Sequence, residues 1–428
     1  MIYYYQKILS HRLLAWAVLS VLAGVSLWVF HTAGFWNGFG VQCLVWGAVD
    51  GVIALLGLRG LREKLESSPK FEVVRRDAAR LRKILWVNAA LDVLYLSGGL
   101  WILLKFPTDA WLQGTGAGVL VQGGFLLLFD VFHAIRVPEE VALPDLGILK
   151  GEEHQEFVLS GGDPVAILIH GFPGTPAEVR EWAQAIHQEG WTVKALLLPG
   201  FGADLPNMYQ QRVQMWLDKI TAEVEVYKSQ GRLVLLAGFS MGGGLSIVAA
   251  EKSQPHALLL LAPFWLPETI WTRLLAGIVR LFLPQVIYPF KSMPALLEQM
   301  KEEAHRAASD VNLDDPRLRI AVQEIPVPLI TLEQFRVLSR WVRRSAPRLS
   351  MPVCILQGTR DPVVRPAFTQ KLIQLMRTPV EYHLVSGEHH TLLRGEEGFE
   401  ETMVLSRQFV RKVWMQYQHQ KSSSFLSQ

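Results

Sequence analysis

The sequence predicts two structural classes in one chain, an all-α domain of four transmembrane helices and then an α/β domain with a mostly parallel sheet. Four apolar stretches lie in the first third of the 428 residues. Each has about the ~20 residues that cross a ~30 Å hydrocarbon core as a helix. After them, short apolar runs typical of buried strands alternate with helical patterns. Such alternation indicates a parallel sheet with helices on both faces.

The domain boundaries follow from changes in composition along the chain. We expect a four-helix transmembrane domain at 1–137, a polar, proline-containing linker at 138–156, an α/β domain at 157–417 and a disordered tail at 418–428. Within the α/β domain, about 85 residues separate two strands, far more than an ordinary connection. We therefore expect a helical cap insert at about 266–350.

The predicted spans also indicate an orientation. They are Leu13–Phe30, Phe39–Leu58, Ile84–Leu104 and Gly116–Ile135. The first lacks a clean cleavage site and three more spans follow, so we interpret it as a retained helix rather than a signal peptide. Lys and Arg are concentrated in the connection after the second span and nearly absent from the other two connections. By the positive-inside rule, both termini and the α/β domain are expected to be cytoplasmic, in an inner or plasma membrane.

Three acidic residues interrupt the predicted spans, namely Asp50, Asp92 and Asp130. Each is expected ~9–12 Å from the cytoplasmic end of its helix, so the three occupy one layer. Asn88 shares a helix face with Asp92, and His133 lies near Asp130. Ionisable groups at such depth face the bundle interior and can form an ion, proton or headgroup site. We favour a hydrogen-bonded structural layer, because the acids lack an inward-facing base.

Composition excludes several function classes. The net charge of +3 is too small to indicate nucleic-acid binding. Cys43 and Cys354 lie in apolar segments far apart, with neither a disulfide framework nor metal-type spacing. No metal or organic cofactor is implied, and the sequence does not define the oligomeric state.

The α/β domain is expected to begin with a buried strand at Val165–Phe172. A helix follows at Pro176–Gly190, with Thr175 as a plausible N-cap and Pro176 at its first position. Further elements are the strand and loop Thr192–Gly202, the helix Val213–Ser229, the strand and helix of Arg232–Ala250, the strands His256–Pro263, Val353–Thr359 and Val380–Val385, and an amphipathic helix at about Gly398–Tyr417.

The strand and helix of Arg232–Ala250 are joined by a G-x-S-x-G turn, Gly238-Phe239-Ser240-Met241-Gly242. This context is typical of a nucleophile elbow, in which a strained turn exposes a serine hydroxyl at the top of a sheet. Glycines on either side remove side chains that would collide there. The five residues alone would also fit an incidental glycine-rich turn, so the assignment depends on partners elsewhere.

Those partners follow two later strands. A serine hydroxyl needs a base, and the base needs an orienting group. Asp361 comes directly after the Val353–Thr359 strand, and the stretch SGEHHTLLRGE comes after the last strand. Open α/β sheets place their sites at the carboxyl ends of strands. The order serine, acid, histidine is the one expected for a nucleophile elbow of this type.

On these motifs, the chain resembles the α/β-hydrolase superfamily, and within it the serine-esterase and monoacylglycerol-lipase-like group. The resemblance covers about Phe157 to Tyr417. It implies a catalytic histidine in a G-x-x-H-x-[LI]-L pattern, which Gly387 to Leu393 match with His390. His389 is the alternative and is expected to be a solvated or hydrogen-bonded neighbour.

The resemblance also implies an oxyanion hole. Its donors would be the backbone N–H groups of Phe172, in the HGFPG loop, and of Met241, after the nucleophile. We expect His170 to support that loop. Phe201 replaces a histidine that is usual in the family's PGHG loop, which is structural.

In this superfamily an insert such as residues 266–350 is a cap over the site. The stretch Trp271–Leu283 has a wide apolar face. By default we expect this face to pack on the core of the domain. The predicted transmembrane spans favour the alternative, in which the face contacts the membrane. Later in the cap lies a basic run that is either a solvated face or a contact with anionic lipid. Its members are Arg336, Arg340, Arg343, Arg344 and Arg348.

The resemblance implies a membrane-anchored serine hydrolase that cleaves carboxylic esters through an acyl-enzyme, with an acylglycerol or lysolipid as substrate. Thioesterases, acyltransferases and peptidases use the same triad, so these activities stay open. From another class, a membrane transporter or sensor with the hydrolase domain as a regulatory module is a further alternative. Its only support is the intramembrane acid layer.

Overall fold

The structure is a computed structural model of the chain. It describes residues 2–426 except 62–63, 65–70, 139–148, 206–210, 268–285, 289–290, 292–315, 324–326, 388–391 and 394–396. Two compact units make up the chain, the first formed mainly by residues 1–142 and the second mainly by residues 143–428.

The first unit is a bundle of long apolar helices. They are α1 (Ile2–Phe30), α2 (Phe35–Arg59), α3 (Phe71–Lys105) and α4 (Ala110–Arg136). All four are long and apolar enough to cross a membrane. The helices α1 and α3 begin well before the predicted spans because polar and basic residues, which hydropathy excludes from a span, continue the helix. The predicted four-helix architecture is confirmed.

The bundle turns large apolar side chains outward, and Phe30, Leu104 and Leu128 each expose more than 70% of their surface. An apolar surface of this kind is typical of a contact with lipid or another protein. Inside, the buried Gln122 amide accepts a hydrogen bond from Trp16 Nε1 at 2.9 Å and donates to Ser20 Oγ at 3.3 Å. The Asp109 carboxylate caps α4 through the backbone N–H groups of the second and third residues of that helix. These polar groups have partners inside the bundle, as an apolar surrounding requires, whereas Oδ2 of Asp50, Oδ2 of Asp92 and Oγ1 of Thr115 are buried without a hydrogen-bond partner among the described residues.

The second unit is built on a seven-stranded sheet in the order β1-β3-β2-β4-β5-β8-β9. The strands are β1 (Phe157–Leu159), β2 (Val165–Ile169), β3 (Thr192–Leu196), β4 (Val234–Phe239), β5 (Ala257–Leu261), β8 (Val353–Gly358) and β9 (Val380–Val385). The short β6 (Val286–Ile287) and β7 (Val327–Pro328) form a separate pair. All pairings in the large sheet are parallel except that of β1 with β3. The predicted α/β class with a mostly parallel sheet is confirmed.

Helices cover both faces of this sheet. The helices of this unit are α5 (Arg180–His187), α6 (Val213–Ser229), α7 (Met241–Ser253), α8 (Pro316–Gln323), α9 (Leu329–Ser345), α10 (Pro366–Ile373) and α11 (Phe399–Leu426). Strands β2, β4, β5 and β8 are buried along their whole length. Alternate side chains of each strand enter one of two apolar cores, one against α6, α7 and α9 and the other against α5 and α11. This double burial explains why these strands have continuous apolar sequences.

Three elements differ from the sequence-based expectation. The antiparallel β1 was not predicted, because three residues of an edge strand carry little periodicity. The predicted helix Pro176–Gly190 begins as a 3₁₀ turn at Pro176–Val179, and its α-helical part ends at His187. The last helix does not end at Tyr417, and it continues to Leu426 through the segment predicted to be disordered. Helical periodicity stops at Tyr417, but nothing in the following residues breaks a helix.

Candidate active site

Ser240 occupies a strained turn between β4 and α7. Its backbone has φ 52° and ψ −116°, a region that L-residues other than glycine rarely adopt. Three backbone hydrogen bonds hold it there, from Ser240 N to Leu261 O at 2.9 Å, and from Phe264 N and Gly244 N to Ser240 O at 2.8 and 3.1 Å. The side chain is 7% exposed. This is the geometry expected of a nucleophile elbow.

The glycines of the motif are required by close backbone contacts. A Cβ atom on Gly242 would lie 2.3 Å from Ile169 O and 2.5 Å from His170 O, and one on Gly238 would lie 2.4 Å from Gly242 O. The start of α7 therefore lies directly against the end of β2. Met241 and Phe172, the predicted oxyanion donors, are within one and two residues of this contact along the chain.

The loop after β2 is held by side chains from its surroundings. Gly171 N donates to Glu178 Oε2 at 2.8 Å. A Cβ on Gly174 would lie 2.3 Å from the same Glu178 oxygen, so the carboxylate fills the inside of the loop. His170 is fully buried, with Nδ1 2.8 Å from Gly171 O, and its Nε2 accepts from Leu198 N at 3.2 Å. Because Nε2 accepts, the ring is neutral with its proton on Nδ1.

His170 makes the stability of this unit sensitive to acid. Burial lowers the pKa of His170 from 6.5 to about 4. Since the unfolded chain takes up the proton near pH 6.5 and the folded protein only near pH 4, stability falls as the pH drops through this window. The loss should reach about 3 kcal/mol for this group. Thermal unfolding at pH 7 and pH 4 should show a smaller acid loss in His170→Gln than in the wild type or in the control His187→Gln, and equal losses would contradict the assignment.

Asp361 lies in the loop after β8, at the same edge of the sheet as Ser240. It is 3% exposed. Its Oδ1 accepts from the backbone N–H groups of Val363 and Val364 at 2.8 and 2.9 Å, and its Oδ2 accepts from Gln357 Nε2 at 3.0 Å. Three hydrogen-bond donors hold this buried carboxyl in place. The residue is thus suited to orient a neighbouring imidazole.

His390 and His389 lie outside the described residues, but the residues before them are placed. Gly387, three positions before His390, accepts from Arg360 N at 3.0 Å and donates from its own N–H to Thr359 Oγ1 at 3.3 Å. The chain leading to the predicted base therefore lies beside the loop that carries Asp361.

An aromatic wall adjoins the predicted oxyanion loop. The ring of Phe335 on α9 contacts Phe172 and Phe264 edge to face, with centroids 4.9 and 5.3 Å apart. Because Phe264 N also donates to Ser240 O, this wall lies next to the elbow. The predicted cap stretch Trp271–Leu283 is outside the described residues. The basic run lies on α9 and in the turn after it, where Arg348 pairs with Glu251 at 2.7 Å.

The predicted polar layer of the helix bundle is partly assembled. Asp50, Asp92 and Asp130 are buried and interact with one another, and Asn88 is in hydrogen-bonding contact with Asp130. His133 hydrogen-bonds with Tyr5, its Nδ1 lying 2.8 Å from the phenol oxygen. Among the described residues, no group of three or more His, Cys, Asp or Glu side chains is arranged to hold a metal ion.

The sequence did not point to three residues that surround the candidate active site. Glu178, Gln357 and Phe335 make contacts that cross between elements, so no local spacing points to them. Gln357 alone left a signal, since it is a polar residue inside the apolar strand VCILQG. A buried polar residue in such a run requires a partner.

Comparison with known proteins assigns the family. A family model described as serine aminopeptidase, S33, matches residues 163–397, more than half of the chain. Another, described as a family of unknown function (DUF6992), matches residues 12–131. Among solved structures, one of the metagenome-derived lipolytic enzymes LipS and LipT has a TM-score of 0.47 at 19% identity, covering 61% of this chain and 98% of that one. The monoacylglycerol lipase of Paleococcus ferrophilus has a TM-score of 0.43 at 18% identity, covering 60% and 99%.

Two curated relatives are esterolytic enzymes. The thermostable monoacylglycerol lipase of Bacillus sp. (strain H-257) is 31% identical over 102 residues, which are 22% of this chain and 41% of that protein. The carboxylesterase of Bacillus subtilis (strain 168) is 29% identical over 92 residues, which are 21% and 37%. The chain thus spans about two fifths of the length of these relatives. By the extent of the family match, the chain belongs to the serine aminopeptidase S33 family, with the α/β-hydrolase fold.

Proposed function

We propose that this protein is a membrane-anchored ester hydrolase that uses Ser240, His390 and Asp361 as a catalytic triad. The observation that carries the proposal is the strained turn at Ser240, placed at the same sheet edge as Asp361 and the approach to His390. A non-glycine residue at positive φ persists only where its surroundings enforce it, and such strain is concentrated at functional sites.

In the proposed reaction, Ser240 Oγ attacks the ester carbonyl carbon while the imidazole of His390 takes the hydroxyl proton. Asp361 orients the resulting imidazolium, and the N–H groups of Phe172 and Met241 bind the oxyanion. The C–O bond then breaks, and the imidazolium gives its proton to the leaving alcohol. Water, deprotonated by His390, attacks the acyl-enzyme, which releases the acid and restores the serine.

We propose an acylglycerol or a lysolipid as the substrate. The aromatic wall of Phe172, Phe264 and Phe335 gives the elbow an apolar neighbour suited to an acyl chain. The four helices would hold the domain at a bilayer from which such a lipid is drawn. From the distribution of Lys and Arg, we place both termini and the hydrolase domain on the cytoplasmic side.

A fluorophosphonate probe on the detergent-solubilised full chain tests the nucleophile. We expect one adduct, on the peptide that contains Ser240, and prior incubation with a monoacylglycerol should slow its formation. Mass spectrometry of the labelled peptides locates the adduct. The absence of any labelling, or labelling at another serine, would overturn the assignment.

A further inference from the structure

Gln357 is a fully buried side chain at the end of β8 with partners on both ends of its amide. Its Nε2 donates to Asp361 Oδ2 at 3.0 Å and to Val364 O at 2.9 Å. Its Oε1 accepts from Thr369 Oγ1 on α10 at 2.7 Å. The amide thus connects a buried hydroxyl to the carboxylate assigned above as the orienting acid.

The partners leave a single orientation for this amide. A backbone carbonyl only accepts hydrogen bonds, so the end that faces Val364 O and Asp361 must be the NH₂ group. Both of its protons are then used. The Thr369 hydroxyl donates a hydrogen bond to the opposite end of the amide, which must be the carbonyl oxygen. Reversing the amide would bring three acceptors together.

Gln357 adds a restraint to the softest torsion of the Asp361 side chain. The rotation of a carboxylate about its Cβ–Cγ bond has a broad energy profile and is not fixed by rotamer preference. The backbone N–H groups of Val363 and Val364 both bind Oδ1. Because Oδ1 lies off the Cβ–Cγ axis, these two contacts already restrain the rotation from one side of the carboxylate. The contact from Gln357 to Oδ2 gives the plane a second fixed point.

We propose that Gln357, held by Thr369, is a positioning residue that sets the plane of the Asp361 carboxylate for the imidazole of the base. This inference rests on the triad of the proposed function. Gln357 touches neither substrate nor nucleophile, and it acts through Asp361 alone. Its loss should therefore lower kcat and leave KM within about threefold, because an oriented imidazole matters in the transition state more than in substrate binding.

The substitution Gln357→Glu tests the role with a side chain of the same shape. When protonated, the introduced carboxyl can donate its proton to Asp361 Oδ2 and keep the carboxylate plane. When ionised, it presents only acceptors to Asp361 and Val364 O, and the contact becomes repulsive. We therefore expect kcat of Gln357→Glu, relative to the wild type, to fall at least tenfold as the pH rises from 6 to 9. A purely structural role predicts a constant ratio.

Substitutions at Thr369 test the same series of hydrogen bonds, from Thr369 through Gln357 to Asp361, at its other end and without adding charge. Thr369→Val removes the hydroxyl at nearly constant volume and should lower kcat by roughly tenfold, the low end of the loss expected for an outer partner, because Thr369 acts on Asp361 only through Gln357. Thr369→Ser keeps the hydroxyl and should rescue most of that loss. Thr402→Val is a matched control, because Thr402 is equally buried, on α11, and its Oγ1 has no hydrogen-bond partner among the described residues.

The outcomes separate this inference from the proposed function. Each variant is first checked for its thermal transition and for fluorophosphonate labelling. If the wild type is not labelled at Ser240, the proposed function fails, and the positioning role fails with it. Suppose instead that the wild type is labelled, that the ratio of the Gln357→Glu kcat to the wild-type kcat does not change with pH, and that Thr369→Val is as active as Thr402→Val. These results would overturn the positioning role and leave the proposed function in place. If Gln357→Glu does not fold, the Thr369 pair decides the question.

Discussion

Replacing Ser240 with glycine is expected to abolish ester hydrolysis and at the same time make the protein more stable than replacing it with alanine. Both substitutions remove the proposed nucleophile, so kcat should fall by a factor on the order of 10⁵ to 10⁶. Alanine keeps the strained backbone at φ 52°, whereas glycine adopts this conformation without strain. The strain is worth roughly 1–3 kcal/mol, and the entropy of glycine offsets part of it.

The net difference between the two variants should be about 1 kcal/mol, which raises the Tm of Ser240→Gly by roughly 2–4 °C over that of Ser240→Ala. Activity is measured with p-nitrophenyl esters of increasing chain length, and stability by thermal unfolding of the solubilised chain. Equal Tm values would show that the turn is not strained. Retention of more than about 1% of the wild-type kcat by either variant would show that another group attacks the ester.

Replacing Gly242 with alanine is expected to cause the largest loss of stability of any substitution considered. The added methyl group would lie 2.3 and 2.5 Å from the carbonyl oxygens of Ile169 and His170. Both oxygens belong to the backbone at the end of a fully buried strand, so neither can rotate away. The start of α7 must then move from the sheet, at a cost of about 3 kcal/mol or more, which corresponds to a fall in Tm of roughly 10 °C.

Gly190→Ala provides the control for this experiment. Gly190 has φ 84° but open space around its Cβ position, so alanine there meets backbone strain without a collision. Its expected cost is about 1 kcal/mol. Thermal unfolding of both variants separates the two effects. A Gly242→Ala variant that melts within a few degrees of Gly190→Ala would mean that the contact between α7 and β2 is loose.

The sheet could be predicted from the sequence because its strands are buried on both faces. Continuous apolar runs mark β2, β4, β5 and β8, and the helices between them have clear periodicity. Short edge elements such as β1 give no comparable signal, since their stability comes from pairing with a neighbour distant in sequence. The starts of α1 and α3 and the end of α11 were also misjudged, because polar residues that hydropathy excludes from a span can still continue a helix.

The candidate site was predictable to the extent that its residues follow strand ends. Ser240 and Asp361 each come directly after a strand, so sequence order alone places them at one edge of the sheet. The contacts of Glu178 and Gln357 depend instead on side-chain geometry across loops, which spacing does not encode. In the bundle, the distance of each acid from the end of its predicted span indicated that the three occupy one layer, but it did not show that His133 turns towards Tyr5.

Because β9 lies at the edge of the sheet, we expect the protein to lose its hydrolytic activity before it unfolds. β8 is buried throughout, whereas β9 is only half-buried over most of its length. Sub-global opening of such an edge costs less free energy than melting the core. Separation of Gly387 from Thr359 would release the approach to His390 while β4 still held Ser240 in its turn. Ser240 would then stay in place without its base and would be inactive. Renewed pairing of β9 with β8 would restore turnover without refolding the rest of the domain.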